Sequence, residues 1–461
     1  MGTLASWLYA PTRDGLPPGP RGLPLVGNLG LLRDPLGSLT RAHRAHGDAV
    51  CFRVGPIRFM SVADPELAHH VLIRNHRNYV KSRSYRGLRL VLGNGLVTSE
   101  GEHWRRQRKL AQPAFHRQRL AQLAQTMARC VEERLDAWDA QAPCELDVHE
   151  QMMQLTLRIV GRTLFGTDLG TDLGALGPAV TECMRKANEY AESLVPVPLW
   201  VPTPSNLRFG RAKRLLDGIV HEIIEQRRRG EPRDDVLGML MAATDETGTE
   251  RMSDQQLRDE VMTLFMAGHE TIATTMSWTF LLLHQHPEVA QRVRAEAEAV
   301  LGGRAPTFDD LPALTYAGQV IDESMRIRPP VWIVERQALH EDQLGPWRIP
   351  AGTIVAVSPW VMHHHAGLWD HPERFDPERF TPERVGSRPK LAYLPFGAGP
   401  RICIGNHFAR MEALIILASV VQRHALEVKH PGAVGLDPKV TLRPAGGIPA
   451  RLVRREARRA A

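Results

Sequence analysis

One of the five cysteines, Cys403, sits in the run Phe396-Gly397-Ala398-Gly399-Pro400-Arg401-Ile402-Cys403-Ile404-Gly405. A lone cysteine is by default a small buried hydrophobe, but the neighbours of this one set it apart. Gly397, Gly399 and Gly405 with Pro400 demand a tight backbone turn that exposes N–H groups. A helix is predicted to begin at about Asn406, so its positive end faces the sulfur. Arg401 adds a nearby cation. Each of these lowers a thiol pKa and favours thiolate. Such a thiolate is either a nucleophile or a soft metal ligand. Nucleophilic chemistry calls for a histidine base, and the proximity of His407 in sequence is no proof of contact. Ligation by one sulfur suits heme, whose iron needs only one axial ligand from the protein.

A second constellation reads Ala267-Gly268-His269-Glu270-Thr271. It lies in the middle of a run free of proline from Asp254 to His284, long enough for a rod of about 45 Å. Ser253 followed by Gln256 makes a capping box at its start. Val261, Met262, Leu264, Phe265, Met266, Ile272, Met276, Trp278 and Phe280 surround its centre, so the helix is predicted to be buried. A core glycine costs about 1 kcal/mol relative to alanine, and a buried glutamate or threonine needs a partner. Residue types alone leave two readings. One is a threonine bonded to its own i−4 carbonyl beside a glutamate at a helix crossing. The other is an acid–hydroxyl pair that moves protons, next to a glycine that loosens the helix.

Three other groups carry possible chemistry. Glu323 and Arg326 share a helix face, which by itself describes an ordinary surface ion pair. Trp104 and Arg108 are spaced i, i+4, so both can face one ligand. His363-His364-His365 cannot converge on one ion from consecutive positions and reads as surface or core-edge histidine.

The elements that must position these residues are mostly helical. Helices are predicted at Pro65–Asn75, His103–Leu110, Gln118–Ala140, His149–Leu164, Thr181–Ala191, Arg208–Arg229, Asp234–Thr244, Ser253–His284, Pro287–Val300, Tyr316–Arg326 and Asn406–His424. Val50–Val54 and Ile57–Val62 around Gly55-Pro56 read as a hairpin, and short strands recur at Trp347–Ile349, Ile354–Val357 and towards both ends of Val428–Val453. Residues 1–22 form an extension whose Gly15–Gly22 lead-in is rich in proline and glycine, and residues 23–461 a single domain. The apolar stretch Leu4–Ala10 stops at Pro11 and is too short to span a bilayer. With 43% hydrophobic and 24% charged residues the chain is ordinary globular protein. Few, scattered cysteines point to a reducing compartment, and a cytoplasmic protein without a stable membrane anchor is expected. The formal net charge of +7 is concentrated at Arg105-Arg106-Gln107-Arg108-Lys109, Arg227–Arg229 and Arg454–Arg459. No nucleic-acid motif accompanies it, so no nucleic-acid partner is expected.

The decapeptide around Cys403 resembles the heme-binding signature of the cytochrome P-450 superfamily at every fixed position. Glu323–Arg326 resembles its Glu-x-x-Arg motif, Trp369–Phe380 the Pro/Arg segment that follows, Ala267–Thr271 the oxygen-activation motif, and Trp104–Arg108 the Trp-x-x-x-Arg motif. The likeness runs from about Leu16 to Val453 and leaves no residues for a fused flavin or iron–sulfur domain. It implies a mainly α fold with a small β region, a triangular prism holding heme b between the long central helix and the helix after the cysteine loop. It implies Cys403 as the axial thiolate, with Trp104, Arg108, Arg336 and Arg401 at the propionates and Ala267, Phe396 and Gly397 against the cofactor. Glu270 and Thr271 are then the catalytic pair that delivers protons, and Glu323, Arg326 and Arg379 a buried structural triad. Many relatives carry a second hydroxyl after the threonine, where this chain has Ile272.

A monomeric monooxygenase of soluble bacterial type is implied, inserting one oxygen atom from O2 into a hydrophobic molecule such as a terpenoid, another natural-product skeleton or a fatty acid. Electrons are expected from ferredoxin and its reductase. The expected pocket walls are Ser84–Val97 (a loop), Tyr190–Leu207, Ala267, Gly268, Val331–Val334 and Gly447–Ile448. Arg86, Arg89 and Glu335 are the fixed charges among them. The alternatives are a peroxide-driven or non-oxygenating heme-thiolate enzyme and a non-catalytic heme-binding sensor.

Overall fold

The computed structural model describes residues 9–10, 15–23, 26–28, 30–167, 173–193, 195–231, 235–244 and 252–455. The apolar residues 4–8 and the arginines of the tail beyond 455 lie outside it. Helices dominate, and the longest, Asp254–Gln285, runs through the core with its apolar side chains buried all round. Its start carries the predicted box: Ser253 Oγ accepts from Gln256 N at 3.2 Å, and Gln256 Oε1 from Ser253 N at 2.8 Å. Val148–Leu164 packs along it more extensively than any other element. The glycine at 268 permits that approach, since a Cβ there would sit 3.0 Å from Val160 Cγ2. The helix stays unbroken through Gly268, so the glycine serves close packing rather than loosening.

The β component is small and positions the other side of the site. Ala49–Val54 and Ile57–Val62 form the predicted antiparallel hairpin. Ile354–Val357 adds to it in parallel, Val334–Ala338 pairs antiparallel with that strand, and Tyr79–Lys81 closes the edge with Lys81 opposite Arg336. Residues before the hairpin fold onto it: Leu16 is buried and Pro18 O accepts from Cys51 N at 3.0 Å. A second core lies beneath this sheet.

Several helices escape the sequence reading, two of them near the site or its supporting sheet. Pro35–His46 is capped by Asp34, whose carboxylate accepts from Gly37 N at 2.9 Å. Tyr85–Leu92 occupies what is expected to be loop, and its Gly87 is there because a Cβ would fall 2.0 Å from Ala187 O. The predicted helix Pro65–Asn75 is α only to His69 and continues as a π-helix over His70–Arg74. No helix among the described residues is long and apolar enough to cross a membrane.

Glu323 and Arg326 are fully buried rather than a surface pair. Arg326 donates to both Glu323 oxygens (2.6 and 2.8 Å) and to the carbonyls of His363, Pro372 and Arg374. Arg379 Nε stands 3.4 Å from Glu323 Oε1, completing the expected triad. His363 is core, not surface: its Nε2 accepts from Leu394 N at 3.1 Å, and burial holds the imidazole well below its usual pKa. His364 instead bonds Trp360 O, and no metal cluster occurs among the described residues.

Buried neutral histidines set an acid limit to stability. His43 bonds Gly47 O at 2.8 Å and Ser61 Oγ at 2.9 Å, and burial lowers it from 6.5 to about 4. Its folded pKa lies below the unfolded one, so protons favour the unfolded chain. The stability is fully present above about pH 6.5 and is lost as pH falls towards about 4. The share of His43 is of order 3 kcal/mol. Urea midpoints at pH 7.5 and 5 are expected to differ markedly in the wild type and less in His43→Gln; an equal pH dependence would refute this.

Candidate active site

The cysteine loop is built as its glycines require. Gly397 and Gly399 adopt φ of 70° and 69°, and a Cβ on Gly399 would lie 2.1 Å from Leu72 O of the π-helix. Ile402 N donates to Gly399 O at 3.0 Å and Cys403 N to Phe396 O at 2.9 Å, closing the loop just before the helix Asn406–Arg423. Phe396 is half-buried beside it, and nothing lies within 4 Å of where a Cβ on Gly397 would stand, leaving open space over the loop.

Cys403 has accessible surface although it is deep among protein atoms, which places it on the wall of an internal hollow rather than on the outer surface. Burial pushes its thiol up, opposed by the Gly405 N–H and by Arg108. Two corrections follow. In the protein alone desolvation outweighs the loop dipoles, so the thiol is not lowered. The cation that favours thiolate is Arg108, which donates to Ile402 O at 2.7 Å, not Arg401. Arg401 instead bonds Ser99 O at 2.8 Å, pairs with Glu100 and stacks on the Trp104 ring at 3.9 Å.

Arg401 and Trp104 are thus brought together, and Arg336 joins them across the sheet edge. Lys81 lies opposite Arg336 in the sheet, and its N–H donates to Glu100 Oε1 at 2.6 Å. Burial, then Arg336 and Arg401, push the Lys81 ammonium well below its usual pKa, against Glu100. Burial lowers Arg401 to about 10, opposed by Glu100 and reinforced by Arg336. Tyr85 bonds Arg336 and lies under Lys81 Nζ, 4.4 Å from its ring centroid. Positive charge crowded inside a protein calls for an anion, and donors of this kind on one side of a hollow walled by Cys403 fit a heme with its propionates. Lys81 and Glu100 are absent from the sequence reading and Tyr85 enters it only within the expected wall Ser84–Val97, because a strand of only three residues and an uncapped short helix give little periodic signal.

The central helix opens a window onto a cavity. Ala267 is exposed and Thr271 half-exposed on one face of an otherwise buried stretch and both line the cavity, whereas Gly268, expected to line it, packs against Val160 instead. Thr271 Oγ1 donates to Ala267 O at 2.8 Å, the back-bond that residue types alone allow. Glu270 does not pair with it: the carboxylate, 1% exposed, takes Thr441 and Arg443 as partners. Arg443 Nη2 is 2.6 Å from Glu270 Oε1.

The cavity holds about 410 Å³ and is lined mostly by apolar groups, among them Leu88, Val97, Met266, Val331, Trp332 and Val440. Its C-terminal wall is Pro438–Thr441 rather than Gly447–Ile448, since Ile448 is fully buried. Of the described residues in the stretch 190–207 only 191–193 reach it, and Trp200 is 83% exposed elsewhere. Arg86 and Arg89 do not line it; Arg83 does, with one guanidinium N–H on Ser193 O. Glu335 is held by the hydroxyls of Ser82 and Ser84, both at 2.6 Å.

Comparison with known proteins agrees with this geometry. The family model Cytochrome P450 matches residues 17–445. The chain is 38% identical over 422 residues to cyclooctat-9-en-7-ol 5-monooxygenase of Streptomyces melanosporofaciens, covering 90% of each chain. It is 35% identical over 414 residues to pentalenene oxygenase of Streptomyces avermitilis, covering 89% of this chain and 91% of that one. Among solved structures, the heme domain of cytochrome P450DA superposes with a TM-score of 0.85 at 26% identity, over 95% of this chain and 97% of that chain. A mainly helical chain with this loop, this cationic group and these relatives belongs to the cytochrome P450 family, as a monooxygenase that carries heme b on a cysteine thiolate.

Proposed function

We propose that the substrate is a neutral, polycyclic terpenoid hydrocarbon or its monohydroxylated derivative, hydroxylated at a carbon presented to the Ala267–Thr271 window. The observation that carries this reading is the apolar cavity of about 410 Å³, a size within the usual range for small-molecule sites. Charged groups of its lining are already engaged, Glu335 by Ser82 and Ser84, Glu270 by Thr441 and Arg443, Arg83 by Ser193 O and Lys439 by Asp437, an arrangement that favours a neutral substrate over a fatty acid. The terpenoid class agrees with what the names of the Streptomyces relatives state of those proteins.

Cys403 is assigned as the axial ligand, and Trp104, Arg108, Arg336 and Arg401, joined by Lys81, as the propionate-holding group. Bound heme supplies the oxygen-activating chemistry, with the thiolate as electron donor to the metal. The chain's own residues do the rest. Ala267 and Thr271 leave room at the window, apolar walls orient the substrate and exclude water, and Glu270 with Thr271 carries protons. Hydroxylation puts one oxygen atom into a C–H bond and releases the other as water, consuming two electrons and two protons from outside.

The electron donor is assigned to a ferredoxin at the face of Gly101–Ala111. That helix exposes Arg105 and Lys109 and sends Arg108 to the Cys403 loop. Lys109→Glu is expected to slow reduction severalfold at low ionic strength and hardly at all in high salt. A rate unchanged at low salt would contradict this docking face. The substrate reading is tested by incubating protein, electron donor and labelled dioxygen with a panel of cyclic terpenes and fatty acids. Label in a hydroxylated terpene is the expected result, and label in fatty acids alone would overturn it.

A further inference from the structure

Glu270 is gripped in an unusual way by residues distant in sequence. Arg443 points both Nε (2.8 Å) and Nη2 (2.6 Å) at the same oxygen, Oε1, and Thr441 Oγ1 donates to that oxygen too. A guanidinium normally pairs fork to fork with both oxygens of a carboxylate. Here Oε2 is left buried and without a hydrogen-bond partner among the described residues. An unmade bond of that kind is costly inside a protein, and the arrangement keeps an acceptor open there. Glu270, Thr441 and Thr271 all line the cavity. Arg443 is 18% exposed, so the clamp on the buried acid is not sealed on every side. Between the two partners Leu442 O accepts from Trp278 Nε1 at 2.8 Å, pinning the strand Leu442–Ala445, which pairs antiparallel with Gly435–Pro438, to the central helix. The other titratable group on this cluster, His149, is held neutral at about 4, first by burial and then by Arg443. His269, adjacent on the helix, is also lowered by burial.

We propose that Thr441 and Arg443 are positioning residues for proton delivery: by clamping Glu270 through Oε1 alone they reserve Oε2 as the oxygen that takes a proton up and releases it towards the cavity. The proposal rests on the reading of Glu270 as a proton carrier. Hydroxylation consumes two protons per dioxygen. When they are not delivered where the O–O bond can break, dioxygen takes up the same two electrons and two protons and leaves as hydrogen peroxide, so the ratio of product to peroxide reports the grip on Glu270.

The test uses the heme-loaded protein with a ferredoxin, its reductase and a substrate that the labelling experiment identifies. Arg443→Gln is expected to lower product per electron pair about fivefold, with a matching rise in peroxide and a larger solvent deuterium isotope effect. Arg443→Lys and Thr441→Ser, which still donate to Oε1, should restore most of the coupling, and Thr441→Val should lose about half. Adding Arg443→Gln to Glu270→Gln should cost nothing more, because both act through one carboxylate. A readout without turnover accompanies these. In the resting protein Arg443→Gln should gain an infrared band of a protonated carboxyl that Glu270→Gln removes, since a buried acid stripped of its cation favours the neutral form. Normal coupling in Arg443→Gln beside an uncoupled Glu270→Gln, or additive losses in the double variant, would overturn the positioning role. Normal coupling in Glu270→Gln would instead overturn the underlying reading of Glu270.

Discussion

Cys403→Ser is expected to fold and to lose monooxygenation altogether. The loop does not depend on the sulfur: Cys403 contributes its backbone N–H to Phe396 O, and Gly397 and Gly399 set the turn. A serine hydroxyl keeps that backbone but cannot serve as a thiolate donor to iron. Three of the other four cysteines are disqualified by burial. Cys51, Cys130 and Cys183 are buried, and burial pushes their thiols to about 11, 11 and 12. Serine at any of these three should therefore leave the heme spectrum and turnover intact. Circular dichroism and a product assay distinguish the outcomes: retained helix with no product is expected, and residual hydroxylation would refute the ligand assignment.

Arg326→Ala carries the largest expected stability loss, about 3–5 kcal/mol. Its guanidinium is fully buried, paired with Glu323 and bonded to the carbonyls of His363, Pro372 and Arg374. Removing it strands a buried carboxylate and frees those carbonyls together. Arg326→Lys should recover little, because one ammonium cannot reproduce the planar fork. Denaturant midpoints and heme retention measure the effect; a midpoint within error of the wild type would show that the triad contributes nothing.

What the sequence makes legible is what local signals encode. The capping box of Ser253 and Gln256, the all-round apolar centre of the long helix and the glycine pattern around Cys403 each specify their own geometry within a few residues. The helix Asp254–Gln285 accordingly matches its prediction almost to the residue. Contacts made across the fold are hidden. Thr441 and Arg443 reach Glu270 across 171 and 173 residues, and no periodicity announces that. Arg401 shows the limit within a motif. Its neighbour relation to Cys403 is visible, but the direction of its side chain, onto Trp104 and Glu100, is set by a left-handed glycine and the packing of another helix. Likewise the helix Tyr85–Leu92 has no side-chain cap and depends on tertiary packing against Leu173–Glu192.

The absorption spectrum of the reduced, carbon-monoxide-bound protein probes heme ligation by Cys403 most directly. A Soret band at the long wavelength characteristic of thiolate-ligated ferrous heme, lost in Cys403→Ser and kept in Cys51→Ser, is the expected result. A band characteristic of histidine or neutral thiol ligation, or one that survives in Cys403→Ser, would contradict the assignment of the site.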